Sequence, residues 1–157
     1  MLSDLSIPKP VFNIFALLHQ LGDRRLKVDS DSALATKTED GAVVAALWNY
    51  APPVGTGAAY TPEPAKVGPD KTMEIKFVGV GENAAVTLYR VDGTHGNVVR
   101  AFDAMGRPAT PTREQIIELR KAGAASPPEH AKLVHGTLTV TIPAHGLMLV
   151  KFEQGRK

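Results

Sequence analysis

The sequence predicts a mainly β protein: an antiparallel β-sandwich with an N-terminal helix and one or two short inserted helices. Three observations carry this expectation. About six or seven short segments alternate apolar with polar residues or run apolar on both faces. Turn residues punctuate them at regular intervals. Helical patterns do not alternate with the strands, as an α/β fold would require.

The first element is "IPKPVFNIFALLHQLGD". Pro10 suits the first turn of a helix, where its missing N–H costs nothing, and Gly22 suits a left-handed position just past the end. Val11, Ile14, Phe15 and Leu18 form one stripe at helical spacing, and Phe12, Leu17 and Leu21 widen it. A helix this apolar around its circumference requires burial on more than one side. A small domain rarely covers a terminal helix so completely, so the pattern predicts a partner or self-association through this helix.

Strands begin near Leu34. "ALATKTEDGAVVAALWNY" reads as a hairpin turning at Glu39-Asp40-Gly41, since Asp-Gly is a strong hairpin signal. Its second strand is apolar on both faces, with Val44, Ala46 and Trp48 against Val43, Ala45 and Leu47, which predicts a central position with Trp48 in the core. Residues 51–70 are rich in Pro and Gly without a period and read as a long exposed loop. "KTMEIKFVGV" directs Met73, Ile75 and Phe77 to one side, and "AAVTLYRV" follows a turn at 81–83. A short helical turn is expected over Val98–Met105, ending at Gly106. A second helix is expected over 112–122, opened by a Thr112/Gln115 capping box and stopped by Gly123. Ile116, Ile117, Leu119 and Ala122 would form its inner face. "GTLTVTIP" and "HGLMLVKF" are the closing strands, each preceded by a His-Gly pair that reads as turn chemistry.

Composition excludes several classes of function. At 157 residues with 43% hydrophobic and 22% charged residues, the chain is long and apolar enough to fold as one globular domain. No apolar run reaches the ~20 residues of a spanning helix, so no membrane role is expected. No basic segment followed by an apolar one marks a secretory signal. The net charge of +2 comes without a basic stripe, which argues against nucleic acid. The absence of cysteine excludes disulfides and thiol chemistry and slightly favours the cytoplasm, but many exported bacterial domains also lack cysteine, so the compartment stays open.

The densest cluster of polar side chains is "YRVDGTHGN", where Asp92, Thr94, His95 and Asn97 crowd a strand exit. A nucleophilic centre there would need an oxyanion feature or a nucleophile elbow, and the sequence has neither. The alternative is an Asx-type turn in which Asp92 accepts from nearby backbone N–H groups, with His95 and Asn97 bridging neighbours. This reading is the stronger one. Asp103 and Arg107 have the spacing of an intrahelical pair, and Glu114 and Glu118 that of solvated helix charges. The five histidines form no His-x₃-His or His-Glu-x-x-His pattern, so no metal and no cofactor is expected. A sugar platform would need exposed aromatic rings; Tyr60, in the long loop, is the one candidate sugar contact.

The ordered motifs "IPKPVFNIFALLHQLGDRRL", "VVAALWNY", "YRVDGTHGN", "AMGRPATPTREQIIELRKAG" and "HGLMLVKF" resemble the C-terminal part of glycoside hydrolase family 39 over essentially the whole chain. That family includes bacterial β-xylosidases and lysosomal α-L-iduronidases, and the bacterial xylosidase branch looks closer. The resemblance implies a β-sandwich that packs on a (β/α)₈ barrel, the barrel carrying both catalytic glutamates. It also implies that Pro10–Leu21 is the barrel's last helix, in a helical unit over 1–24 followed by the sandwich over 25–157, with Val11, Phe12, Ile14, Phe15 and Leu18 facing the barrel or another partner. Asp92, His95 and Asn97 are then a structural signature corner. The family's acid/base Glu lies in an Asn-Glu-Pro motif; the comparable spot here, Trp48-Asn49-Tyr50, has no Glu, so no catalytic residue carries over. The expected function is thus a non-catalytic accessory domain. The competing expectation is a free-standing carbohydrate-binding module for xylo-oligosaccharides.

Overall fold

The computed structural model describes residues 3, 5–50 and 68–153. The chain forms α1 (Pro10–Leu18), β1 (Arg24–Leu26), β2 (Ala33–Lys37), β3 (Val43–Trp48), β4 (Lys71–Lys76) and β5 (Ala85–Val91). It continues with α2 (Val99–Ala104), α3 (Arg113–Gly123), β6 (Glu129–Lys132), β7 (Thr137–Ile142) and β8 (Leu147–Phe152). Six strands make one antiparallel sheet in the order β1-β2-β3-β8-β5-β6, and β4 pairs with β7 in a second. The predicted sandwich of antiparallel sheets is present, with α2 and α3 inserted between β5 and β6.

Burial on both faces of β3 and β8 creates three layers. Ala45, Leu47, Met148 and Val150 point to the two-stranded sheet and meet Leu138, Val140 and Ile142 of β7. Val44, Ala46 and Leu149 point the other way and meet Leu17 of α1. The two-sided apolar pattern of β3 therefore marks a central strand, in register with β8 from Val43↔Phe152 to Trp48↔Leu147. Trp48, expected in the core, is only half-buried because it ends the strand.

Several local expectations need correction. The described residues contain eight strands rather than six or seven. Two that the pattern missed, β1 ("RRL") and β6 ("EHAK"), are short polar edge strands recruited by pairing with β2 and β5. Polar edges carry no apolar period to read. Helix α1 stops at Leu18 with His19 as its C-cap, so Leu21 lies beyond it. Gly22 is not left-handed; a Cβ there would meet Lys37 O at 2.2 Å, and its N–H donates to Thr36 Oγ1 at 2.8 Å. Gly123 likewise does not stop α3 but is its last residue, where a Cβ would meet Pro8 O at 2.5 Å. Both glycines are required by close approach of another backbone. Ile117 is 58% exposed, and Leu119 instead anchors the inner face of α3. The predicted loop over 51–70 and Tyr60 within it fall largely outside the described residues.

Other local chemistry is as expected. The capping box of α3 forms: Gln115 N–H donates to Thr112 Oγ1 and Thr112 N–H to Gln115 Oε1. His135 and His145 sit at φ +50° and +60°, the turn geometry their His-Gly pairs suggested. Arg107 Nε donates to Asp103 Oδ1 at 2.7 Å.

Candidate functional site

The end of β5 delivers Asp92 into a corner where its carboxylate is almost fully enclosed. Oδ1 accepts from Thr94 N–H at 2.7 Å, Thr94 Oγ1–H at 2.9 Å and His95 N–H at 3.0 Å. The His95 ring places Nδ1 2.9 Å from both carboxylate oxygens, and because an ionised carboxylate only accepts, Nδ1 carries the proton. Burial pushes the Asp92 carboxyl up, but the Thr94 N–H, the His95 ring and the Thr94 hydroxyl outweigh it and hold the group below its ordinary 3.8. Asn97 then donates from Nδ2 to Asp92 O at 3.0 Å and accepts Val99 N–H on Oδ1 at 3.0 Å, so it fastens the corner to the start of α2.

This arrangement does not place Thr94 as a nucleophile for His95. The hydroxyl nearest the ring, Thr94 Oγ1, lies 3.1 Å from Nδ1, the nitrogen already committed to Asp92. A nucleophile activated by a histidine held this way must sit on the opposite nitrogen. No group of three His, Cys, Asp or Glu side chains among the described residues could hold a metal ion. Nor is any helix among them long and apolar enough to cross a membrane.

Helix α1 is fixed to this corner by a residue that sequence reasoning overlooked. Asn13, 3% exposed, donates one amide hydrogen to Gly96 O at 2.8 Å and the other to Gly123 O at 2.9 Å. One side chain therefore ties α1 to the signature corner and to the end of α3. The signal was available: a lone asparagine inside "VFNIFALL" must satisfy its amide somewhere once the helix is buried.

The five residues expected at a partner interface divide between two sides of α1. Ile14 and Leu18 pack with Leu17 against the six-stranded sheet. Full burial of a side chain such as Leu17 contributes roughly 1.5–3 kcal/mol. Val11, Phe12 and Phe15 face outward, 41%, 37% and 48% exposed. Pro10, at the start of the helix, lines a groove of about 410 Å³ whose walls include Ile7, Val99, Phe102, Pro108 and Leu119. The far wall is held by Arg120, whose Nε and Nη2 donate to Leu5 O at 3.1 and 2.7 Å.

Asn49, in the position compared with the family's acid/base motif, is buried and structural. Its Nδ2 donates to Pro69 O at 2.9 Å and Ile142 O at 3.0 Å. Tyr50 beside it is exposed and meets the His145 ring edge-on, with centroids 6.4 Å apart.

Comparison with known proteins gives this geometry a context. Residues 2–136 match the model of glycosyl hydrolases family 39. The chain is 30% identical over 155 residues to a beta-xylosidase of Geobacillus stearothermophilus, covering 96% of this chain and 28% of that protein. A monomeric beta-xylosidase from Caulobacter crescentus superposes with a TM-score of 0.77 at 16% identity, covering 99% of this chain and 32% of that one. A GH39 enzyme from Xanthomonas axonopodis pv. citri gives 0.68 at 21% identity, with 94% and 31% covered. The chain thus spans less than a third of the length of these relatives. On the extent of the family match, it belongs to glycosyl hydrolases family 39.

Proposed function

We propose that the chain is the non-catalytic accessory β-sandwich of a β-xylosidase-like glycoside hydrolase, and that it packs against and stabilises a (β/α)₈ catalytic barrel. In this reading residues 1–24 complete the barrel's outer ring and residues 25–157 form the accessory domain. The observation that carries it is the division of α1: its inner face is locked to the sandwich by Leu17 and Asn13, while Val11, Phe12 and Phe15 present apolar surface outward. A contiguous exposed apolar surface of this kind marks an interaction site. The relatives' additional length supplies a candidate to cover it.

Catalysis is assigned to the absent portion. The Asp92–His95 pair is spent on its own turn, and Asn49 on bridging two carbonyls. Purified chain incubated with an aryl β-xyloside should release no product, and titration with xylo-oligosaccharides should show no binding in the millimolar range. Turnover that disappears in His95→Ala would overturn the assignment. Millimolar or tighter sugar binding would favour a carbohydrate-binding module instead.

A further inference from the structure

Two aspartates of the chain are followed by glycine: Asp40, at the turn between β2 and β3, and Asp92, in the signature corner. Such a pair is reactive because glycine has no Cβ to hinder approach of its own nitrogen to the neighbouring carboxyl carbon. Ring closure requires that carbon to swing onto the next amide nitrogen. The freedom of the side chain and its peptide therefore decides which pair reacts. Asp92 lacks that freedom. It is 7% exposed, its carboxylate accepts from Thr94 and His95, and its N–H donates to His95 O at 3.0 Å. The Gly146 backbone packs on it so closely that a Cβ there would lie 3.4 Å from the Asp92 Cβ. The corner is tied in turn to α1, where the Asn13 amide donates to Gly96 O.

Asp40 is exposed at a hairpin tip. The hydrogen bonds that hold it are local. Thr38 N–H donates to Ala42 O at 2.9 Å, Gly41 N–H to Thr38 O at 3.0 Å, and the Thr38 hydroxyl to the Asp40 carboxylate. Gly41 sits at φ +89°, and a Cβ there would come no closer than 3.9 Å to Lys37 Cε. Opening this turn leaves the ladder from Ala33↔Leu47 to Lys37↔Val43 in place, so it needs far less free energy than opening the corner. Both carboxyls lie below their ordinary 3.8, Asp40 through the Thr38 hydroxyl and Asp92, against burial, through its Thr94 and His95 bonds. Ionisation does not separate the two sites, and the freedom of the chain does.

We propose that Asp40 is a site of spontaneous modification, converting to isoaspartate through a succinimide with Gly41, and that the fold spares Asp92 in the same dipeptide. The Gly41 nitrogen attacks the side-chain carboxyl carbon of protonated Asp40. A C–N bond forms, the C–OH bond breaks, and the hydroxyl leaves with the amide proton as water. Water then adds to the ring carbonyl that was the backbone C=O of Asp40 and opens the ring there. The main chain now runs through the former side chain and is one carbon longer, and the former backbone carbonyl is a free carboxylate. One water leaves and one returns, so mass is unchanged and no other reactant is consumed. The inference goes beyond the accessory role proposed above and does not depend on it.

Peptide mapping of the 157-residue chain during prolonged incubation at neutral pH tests it. Trypsin releases Asp40 in the peptide 38–66 and Asp92 in the peptide 91–100. In the folded chain an isomer of 38–66, with unchanged mass and altered retention, should accumulate about tenfold or more faster than an isomer of 91–100. In chain unfolded by urea the two rates should converge, because neither turn then exists. Asp40→Glu cannot close a five-membered ring, so the 38–66 isomer should be absent from that variant. The proposal is overturned if 91–100 isomerises as fast as 38–66 in the folded chain. It is equally overturned if 38–66 forms no isomer until the chain is unfolded, or if its isomer persists in Asp40→Glu.

Discussion

The signature corner and the outer face of α1 lie within one hydrogen bond of each other, through Asn13, yet they are opposite in character. The corner crowds four polar side chains together and satisfies them internally: Asp92 alone accepts from Thr94 and His95, and Asn97 fastens it to α2. The helix face has no polar requirement but leaves Val11, Phe12 and Phe15 uncovered. Polar density that raised the question of chemistry in the sequence is satisfied within its own turn in the fold. The plain apolar surface is where we propose that a partner docks. Satisfied groups hold a shape, and uncovered ones recruit a partner.

Removing the link between the two regions should have the largest effect. Asn13→Leu leaves the carbonyls of Gly96 and Gly123 without their donors in a buried setting, so denaturant unfolding should show a loss of about 2–4 kcal/mol. Next comes the close approach at the end of α3. Gly123→Ala sets a Cβ against Pro8 O at 2.5 Å, and the same measurement should show a loss of about 1–3 kcal/mol.

The corner itself sharpens the comparison through pH. Asp92→Asn should cost about 1–3 kcal/mol near neutral pH, since the amide cannot accept the same set of bonds. Because the folded carboxyl lies below its ordinary 3.8, its contribution is fully present above that value and is lost as pH falls through the folded pKa. The stability gap between native chain and Asp92→Asn should therefore close under strong acid. A gap that persists there would mean the carboxylate's charge is not what holds the corner. The smallest effect on stability is expected on the uncovered face: Phe12→Asp and Phe15→Asp should each change unfolding by no more than about 0.5 kcal/mol.

Most of the framework was legible because it is written in apolar periods. The two-sided run Val43–Trp48 announced the central strand, and the alternation of Leu138, Val140 and Ile142 announced β7. The Thr112/Gln115 pair announced the start of α3. Edge strands β1 and β6 were illegible because pairing, not side-chain burial, makes them strands. The glycines at 22 and 123 were misread because their constraint comes from backbones far away in sequence, at Lys37 and Pro8. At the candidate interface, helical spacing alone grouped Ile14 and Leu18 with Val11 and Phe15. The stripe was wider than either face, and only the position of the sheet decides which of its residues turn inward.

The central claim is that the outer face of α1 is built to be covered. Sedimentation velocity over a wide concentration series, on the native chain and on the Phe12→Asp/Phe15→Asp double variant, tests it most directly. The native chain should associate as concentration rises and the double variant should stay monomeric, with both equally stable to denaturant. A native chain that sediments as a sharp monomer at every concentration would contradict it.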